Sequence, residues 1–184
     1  MLCTGRAGMG QVARERIERT IAALTMSPRH SATEAAAHAG AGQFIAAELA
    51  AAGCAVSRQA FEMPDHPGRV GVNVIGALAC EQADLSAVVV GAHYDTRPAS
   101  PGADDNASGV AAMIECARAL SARRLQRPVV FVAFDAEERQ DPGPGLRGSS
   151  AFVAAAGGSG VPRLGPAFIL EMVGFSAGRG AQKV

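Results

Sequence analysis

With 184 residues, 48% hydrophobic and 18% charged, the chain has enough apolar material for one globular core and too much for a disordered segment. Lysine plus arginine and aspartate plus glutamate both number 17, with no basic run, which excludes an obvious electrostatic surface for nucleic acid or membrane and favours a peptidic or small amide substrate. Cys3, Cys54, Cys80 and Cys116 are widely spaced and form no C-x-x-C pair, so reduced thiols are expected rather than a disulfide framework.

Residues 1–10 are glycine-rich, lack the apolar stretch of a secretory leader and are expected to be disordered; residues 11–184 read as one domain. No later apolar run is long enough to cross a bilayer, so the sequence as it stands reads as cytoplasmic, with secretion open if the start lies upstream. Ile17, Ile21 and Leu24 recur at helical spacing, as do Ile45, Leu49 and Ala52 within the alanine-rich residues 32–52. Residues 54–63 and 70–78 alternate or enrich β-branched side chains around Pro64, Pro67 and Gly68, which predicts a hairpin near a sheet edge. The apolar runs 87–90, 129–134 and 167–170 predict central parallel strands covered on both faces. Val110, Met113, Ile114, Ala117 and Leu120 form a helical stripe that Asn106 or Ser108 could cap, and residues 148–156 are a shorter helix candidate. Loops are expected at 140–145 and 157–165. The fold class is α/β: a three-layer α/β/α domain with a mixed, mainly parallel sheet.

The chemistry-bearing residues fall where such a sheet gathers function. His93, Glu137, Glu138 and Glu171 each follow a strand run, and side chains beyond the carboxyl ends of strands share one crevice. Imidazole and carboxylates are zinc ligands, and a paired site needs a carboxylate that bridges both ions, a part that falls to Asp104. Asp95, two residues past His93, is placed to accept a hydrogen bond from the second imidazole nitrogen and fix the ligating tautomer. Successive side chains diverge, so Glu138 is assigned to metal and Glu137 to the general base. Each motif alone is ordinary: paired glutamates at a strand end are usually solvated, and D-D-N-A-S-G is a serviceable turn and helix cap. All of them together, in this order, have no simple structural explanation.

The order H-Y-D (93–95), G-A-D-D-N-A-S-G (102–109), A-E-E (136–138) and L-E-M (170–172) resembles the co-catalytic zinc aminopeptidases of metallopeptidase family 28, the bacterial leucyl aminopeptidase type, from about Ile17 to Glu171. The resemblance implies that His93, Asp104 and Glu171 hold one Zn2+, that Asp104 and Glu138 hold a second together with a further histidine, and that Glu137 is the general base. It also implies a cis peptide after the bridging carboxylate, expected at Asp104–Asp105. Glu171 stands where many relatives have aspartate, and no histidine follows His93 in the sequence. The domain is therefore expected to be truncated at its C-terminus, with the edge of the 167–170 strand and its apolar surface uncovered and the second zinc position incomplete, and with a catalytically impaired or non-catalytic metal-binding domain as the alternative. Carboxypeptidase-like and glutaminyl-cyclase-like relatives share the ligands.

Two decoys are set aside. Residues 8–13 fit G-x-G-x-x-A, but no strand precedes them to form the pyrophosphate turn. Residues 174–178 fit the nucleophile elbow around Ser176, yet only six residues and no histidine follow, so a serine triad cannot be completed within the sequence. His30, His38 and His66 sit in polar or turn-like contexts and are expected at the surface.

Overall fold

The computed structural model describes residues 13–139, 143–158 and 161–175; the N-terminal segment 1–10 and Ser176 lie outside them. Two helices come first, α1 (Arg14–Leu24) and α2 (Ala35–Ala51), followed by the antiparallel hairpin β1 (Ala55–Glu62) and β2 (Val70–Leu78). Then β3 (Ala87–His93), α3 (Gly109–Ser121) and β4 (Val129–Phe134) form a crossover unit with parallel strands, and α4 (Arg147–Ala154) leads to β5 (Leu164–Ile169). The five strands are ordered β1-β2-β4-β3-β5, with β2 antiparallel to β4 and β5 parallel to β3.

Alternation along the strands divides the apolar side chains between two layers. Val129, Phe131 and Ala133 of β4 face a cluster with Ile45 and Leu49 of α2 and Val110, Met113 and Ile114 of α3. Val130, Val132 and Phe134 face the other side, where Phe152 of α4 packs. Helices α1 to α3 thus cover one face and α4 the other. Gly91 in β3 gives Phe134 its room, because a Cβ there would lie 2.5 Å from the ring.

The helix stripes expected for α1, α2 and α3 point into the core, and the first N–H of α3 is capped by Asn106, whose Oδ1 accepts from Gly109 at 3.1 Å. The environment expected for β5 from its apolar run alone is corrected. It pairs with β3 on one side, no strand pairs with its other side among the described residues, and Phe168 and Ile169 are 59% and 57% exposed. An apolar run marks a strand without fixing what lies beside it. Cys54, Cys80 and Cys116 are free thiols, and no helix among the described residues is long and apolar enough to cross a membrane.

Candidate metal centre

His93 is the last residue of β3, with its side chain 2% exposed. Its Nδ1 lies 3.2 Å from the Asp95 carbonyl oxygen and 3.4 Å from Asp95 Oδ1. The Asp95 carboxylate is fully buried and also accepts the N–H groups of Glu137, at 3.0 Å on Oδ1, and Glu138, at 3.1 Å on Oδ2. One carboxylate therefore orients the imidazole and pins the loop after β4 that carries both glutamates. Between Asp135 and Glu137 the chain passes through Ala136 at φ 52°, a left-handed residue with no exposed surface.

The other imidazole nitrogen faces a cluster of carboxylates. From His93 Nε2, Asp105 Oδ1 is 3.0 Å away, Glu171 Oε1 3.4 Å and Glu137 Oε2 3.9 Å. Donor atoms of His93, Asp105 and Glu171 all lie within 4.8 Å of one another. Zinc bonds of about 2.0–2.1 Å in tetrahedral array separate ligand atoms by roughly 3.3 Å, so the spacing and the nitrogen and oxygen donors fit that ion.

At the aspartate pair the residue brought beside His93 is not the one expected to bridge the ions. Asp105 is the carboxylate brought to His93, whereas Asp104 Oδ1 accepts the Ser108 hydroxyl at 3.1 Å and the Gly174 N–H at 2.8 Å. The cis peptide likewise falls one residue later, at Asp105–Asn106. The turn Ala103–Ser108 leaves helical geometry at Asp105 and Asn106, and that backbone aims the second carboxylate of the pair, not the first, at β3.

Asn106 has a larger part than the cap expected of it. Its Nδ2 donates to the Leu170 carbonyl at 2.8 Å and to Glu171 Oε2 at 3.1 Å, and its Oδ1 also accepts the Met172 N–H at 3.3 Å. The amide ties the Asp105 turn to the segment after β5 and steers the Glu171 carboxylate. Glu138 is buried, with Oε2 accepting from Arg97 Nε at 3.1 Å, and stands apart from the three clustered donors.

Concentrating carboxylates around one imidazole shifts the titrating groups. Burial works against a charged His93, but the hydrogen bond and charge of Asp95, with the fields of Glu171 and Glu137, prevail and raise its pKa to about 9. Burial raises Glu137, opposed by His93 and reinforced by Asp95, Glu138 and Glu171. Burial raises Glu171 as well, again opposed by His93 and reinforced by Asp105. Beside the cluster a cavity of about 400 Å³ opens, lined by apolar side chains such as Val89, Phe134 and Phe152 together with His93, Glu137 and Glu171.

Of the histidines expected at the surface, His30 is buried and His38 half-buried. His30 is 6% exposed, and its Nδ1 accepts from the N–H groups of Ala32 and Thr33. His38 stacks on Tyr94 with ring centres 4.9 Å apart and sets Nε2 2.7 Å from Asp135 Oδ1. Its partner is 97 residues away in sequence, so nothing local announced the pair.

Residues 73–177 match the model of Peptidase family M28. Aminopeptidase YwaD of Bacillus subtilis is 44% identical over 89 residues, a match covering 48% of this chain and 18% of that protein. A Porphyromonas gingivalis glutaminyl cyclase structure aligns at TM-score 0.72 and 28% identity, over 89% of this chain and 59% of that one. A Zn-dependent exopeptidase from Parabacteroides distasonis aligns at TM-score 0.70 and 23% identity, over 90% and 63%, which speaks for the fold alone. The chain thus spans less than a fifth of that curated relative and about three-fifths of the solved ones.

Proposed function

Because this chain belongs to peptidase family M28, we propose that it is the metal-binding part of a zinc-dependent exopeptidase, an aminopeptidase that releases N-terminal residues from peptides. The observation that carries the reading is the convergence of His93 Nε2, Asp105 Oδ1 and Glu171 Oε1 from three separate segments, with Glu137 Oε2 3.9 Å from the same nitrogen. Zinc, when bound, supplies a Lewis acid for the scissile carbonyl and acidifies a water molecule.

The protein's own groups do the rest. Asp95 holds His93 in the ligating orientation through Nδ1. Glu137, beside the cluster and outside its three donors, takes the proton of the attacking water on its carboxylate and returns it to the leaving amine. Its raised pKa suits a base that must hold that proton between the two steps. Glu138, with Asp105 as the shared carboxylate, is the candidate for a second ion. The apolar cavity beside Glu137 and Glu171 suits the side chain of the residue being released.

A second reading, cyclisation of an N-terminal glutaminyl residue, draws support from the likeness to the Porphyromonas gingivalis glutaminyl cyclase. The test is zinc content by metal analysis, together with turnover of an aminoacyl anilide and of a glutaminyl peptide. Glu137→Gln is expected to keep zinc and lose turnover; hydrolysis that survives it would sink the mechanism. Zinc without turnover in the unaltered chain would move the protein to the non-catalytic metal-binding alternative.

A further inference from the structure

We propose that Arg29 is a positioning residue for the metal centre: its buried guanidinium fastens the segment leading to Asp105 onto the strand end that carries His93. The inference rests on the metallopeptidase reading above.

Arg29 is 1% exposed and lies between α1 and α2. Its Nε donates to the carbonyl of Tyr94, the residue after His93, at 2.9 Å. Its Nη1 donates to Pro101 O at 2.7 Å and to Leu24 O at the end of α1, and Nη2 donates to Gly102 O at 3.2 Å. Its own N–H donates to Thr96 Oγ1 at 2.8 Å. One planar fork thus spans the far end of β3 and the two residues that open the Asp105 turn.

The packing around that fork leaves no slack. Gly102 is left-handed at φ 58°, and a Cβ there would meet Asp105 O at 2.4 Å and Arg29 Nη2 at 3.0 Å. Four carbonyls from separate stretches of chain match a guanidinium and not the single point charge of an ammonium. A buried cation is a poor stabiliser by itself, because desolvation offsets what its contacts return. Four carboxylates, Asp95, Asp105, Glu137 and Glu171, crowd one imidazole here. Burial lowers the Arg29 pKa to about 10 against the fields of Asp95 and Asp105, which raise it, so the guanidinium remains a cation. The same guanidinium, through its bonds to Tyr94, Pro101 and Gly102, holds the backbone next to His93 and ahead of Asp105.

The experiment is competition for zinc against a fluorescent chelator, with thermal melts on the same samples, for the unaltered chain, Arg29→Gln, Arg29→Lys and Glu115→Gln. Glu115, 2% exposed and bonded to Arg16 and Arg118, is a buried charge outside the metal centre and serves as the stability control. Arg29→Gln is expected to weaken zinc binding about 10- to 100-fold, the usual cost of losing a group that orients metal ligands. Arg29→Lys should recover only part of that, and Glu115→Gln should lower the melting temperature with zinc affinity unchanged. If Arg29→Gln does not fold, Arg29→Lys decides alone: affinity equal to the unaltered chain overturns the proposal. Zinc affinity in Arg29→Gln no weaker than in Glu115→Gln overturns it as well. A chain that binds no zinc even unaltered defeats the metallopeptidase reading and this inference together, a result recognisable because it appears without any substitution.

Discussion

Strands β3 and β5 run side by side and parallel, and both deliver a residue to the proposed metal centre, yet they hold what they deliver very differently. Every residue of β3 is buried or half-buried, and His93 at its end has both ring nitrogens engaged and its side chain 2% exposed. β5 is mostly exposed, and Glu171 just beyond it has a side chain 48% exposed and is steered by the single amide of Asn106. Strand pairing fixes where a side chain emerges; burial fixes how firmly it stays. A deep histidine and a shallow glutamate make a site with one rigid anchor and one adjustable arm.

The contrast can be broken most directly through stability. Phe131, fully buried in β4 next to β3, should cost about 3–5 kcal/mol when changed to alanine. Phe168 of β5, 59% exposed, should cost under about 1 kcal/mol for the same change. Urea unfolding measures both, and equal losses would mean that β5 is covered in solution. Next in size is the pair of adjacent aspartates. Asp105→Asn should weaken zinc binding by at least about 10-fold, whereas Asp104→Asn should change it by much less, since Asp104 faces Ser108 and Gly174. Calorimetric zinc titration reads the difference, and the reverse order would assign the ligand to Asp104.

Asn106→Ala sharpens the picture of the adjustable arm. It removes the amide partner of the half-buried Leu170 carbonyl, for a loss of about 1 kcal/mol, and frees Glu171 to turn, while the Gly109 N–H keeps the Asn106 carbonyl. Hydrogen exchange should accelerate after β5 before it does in β3. The smallest contrast is in pH. Burial lowers the pKa of His30, so the folded chain resists a proton that the unfolded chain accepts near the ordinary value of 6.5. That contribution to stability is present above about pH 6.5 and is lost as pH falls below it. His30→Gln should flatten this part of the melting profile.

How much of this was legible in the sequence follows from range. The strands announced themselves through β-branched runs and the helices through their stripes, because both signals are local. The gathering of His93, Glu137 and Glu171 was legible because strand ends in such sheets converge. Which of Asp104 and Asp105 lies beside His93 was not, since two neighbouring carboxylates differ only in the backbone angles of the turn, φ −101° and ψ 91° at Asp105. His38 was misjudged because Asp135 and Tyr94 reach it only through the tertiary fold. For β5 the apolar run alone pointed to a covered central strand, because such a run carries no information about its neighbours, whereas the resemblance pointed to the uncovered edge that is observed.

Ala136 carries a consequence for tolerance to change. An L-residue at φ 52° costs roughly 1 kcal/mol, and that cost turns the chain sharply between Asp135 and the two glutamates. Glycine at 136 would relieve it while adding a similar amount of chain freedom to the unfolded state. Ala136→Gly should therefore be nearly silent in a thermal melt, whereas Ala133→Gly, equally buried but in a regular strand, should lower the midpoint. The position closest to the proposed base is thus one where sequence can drift without moving the glutamate it aims.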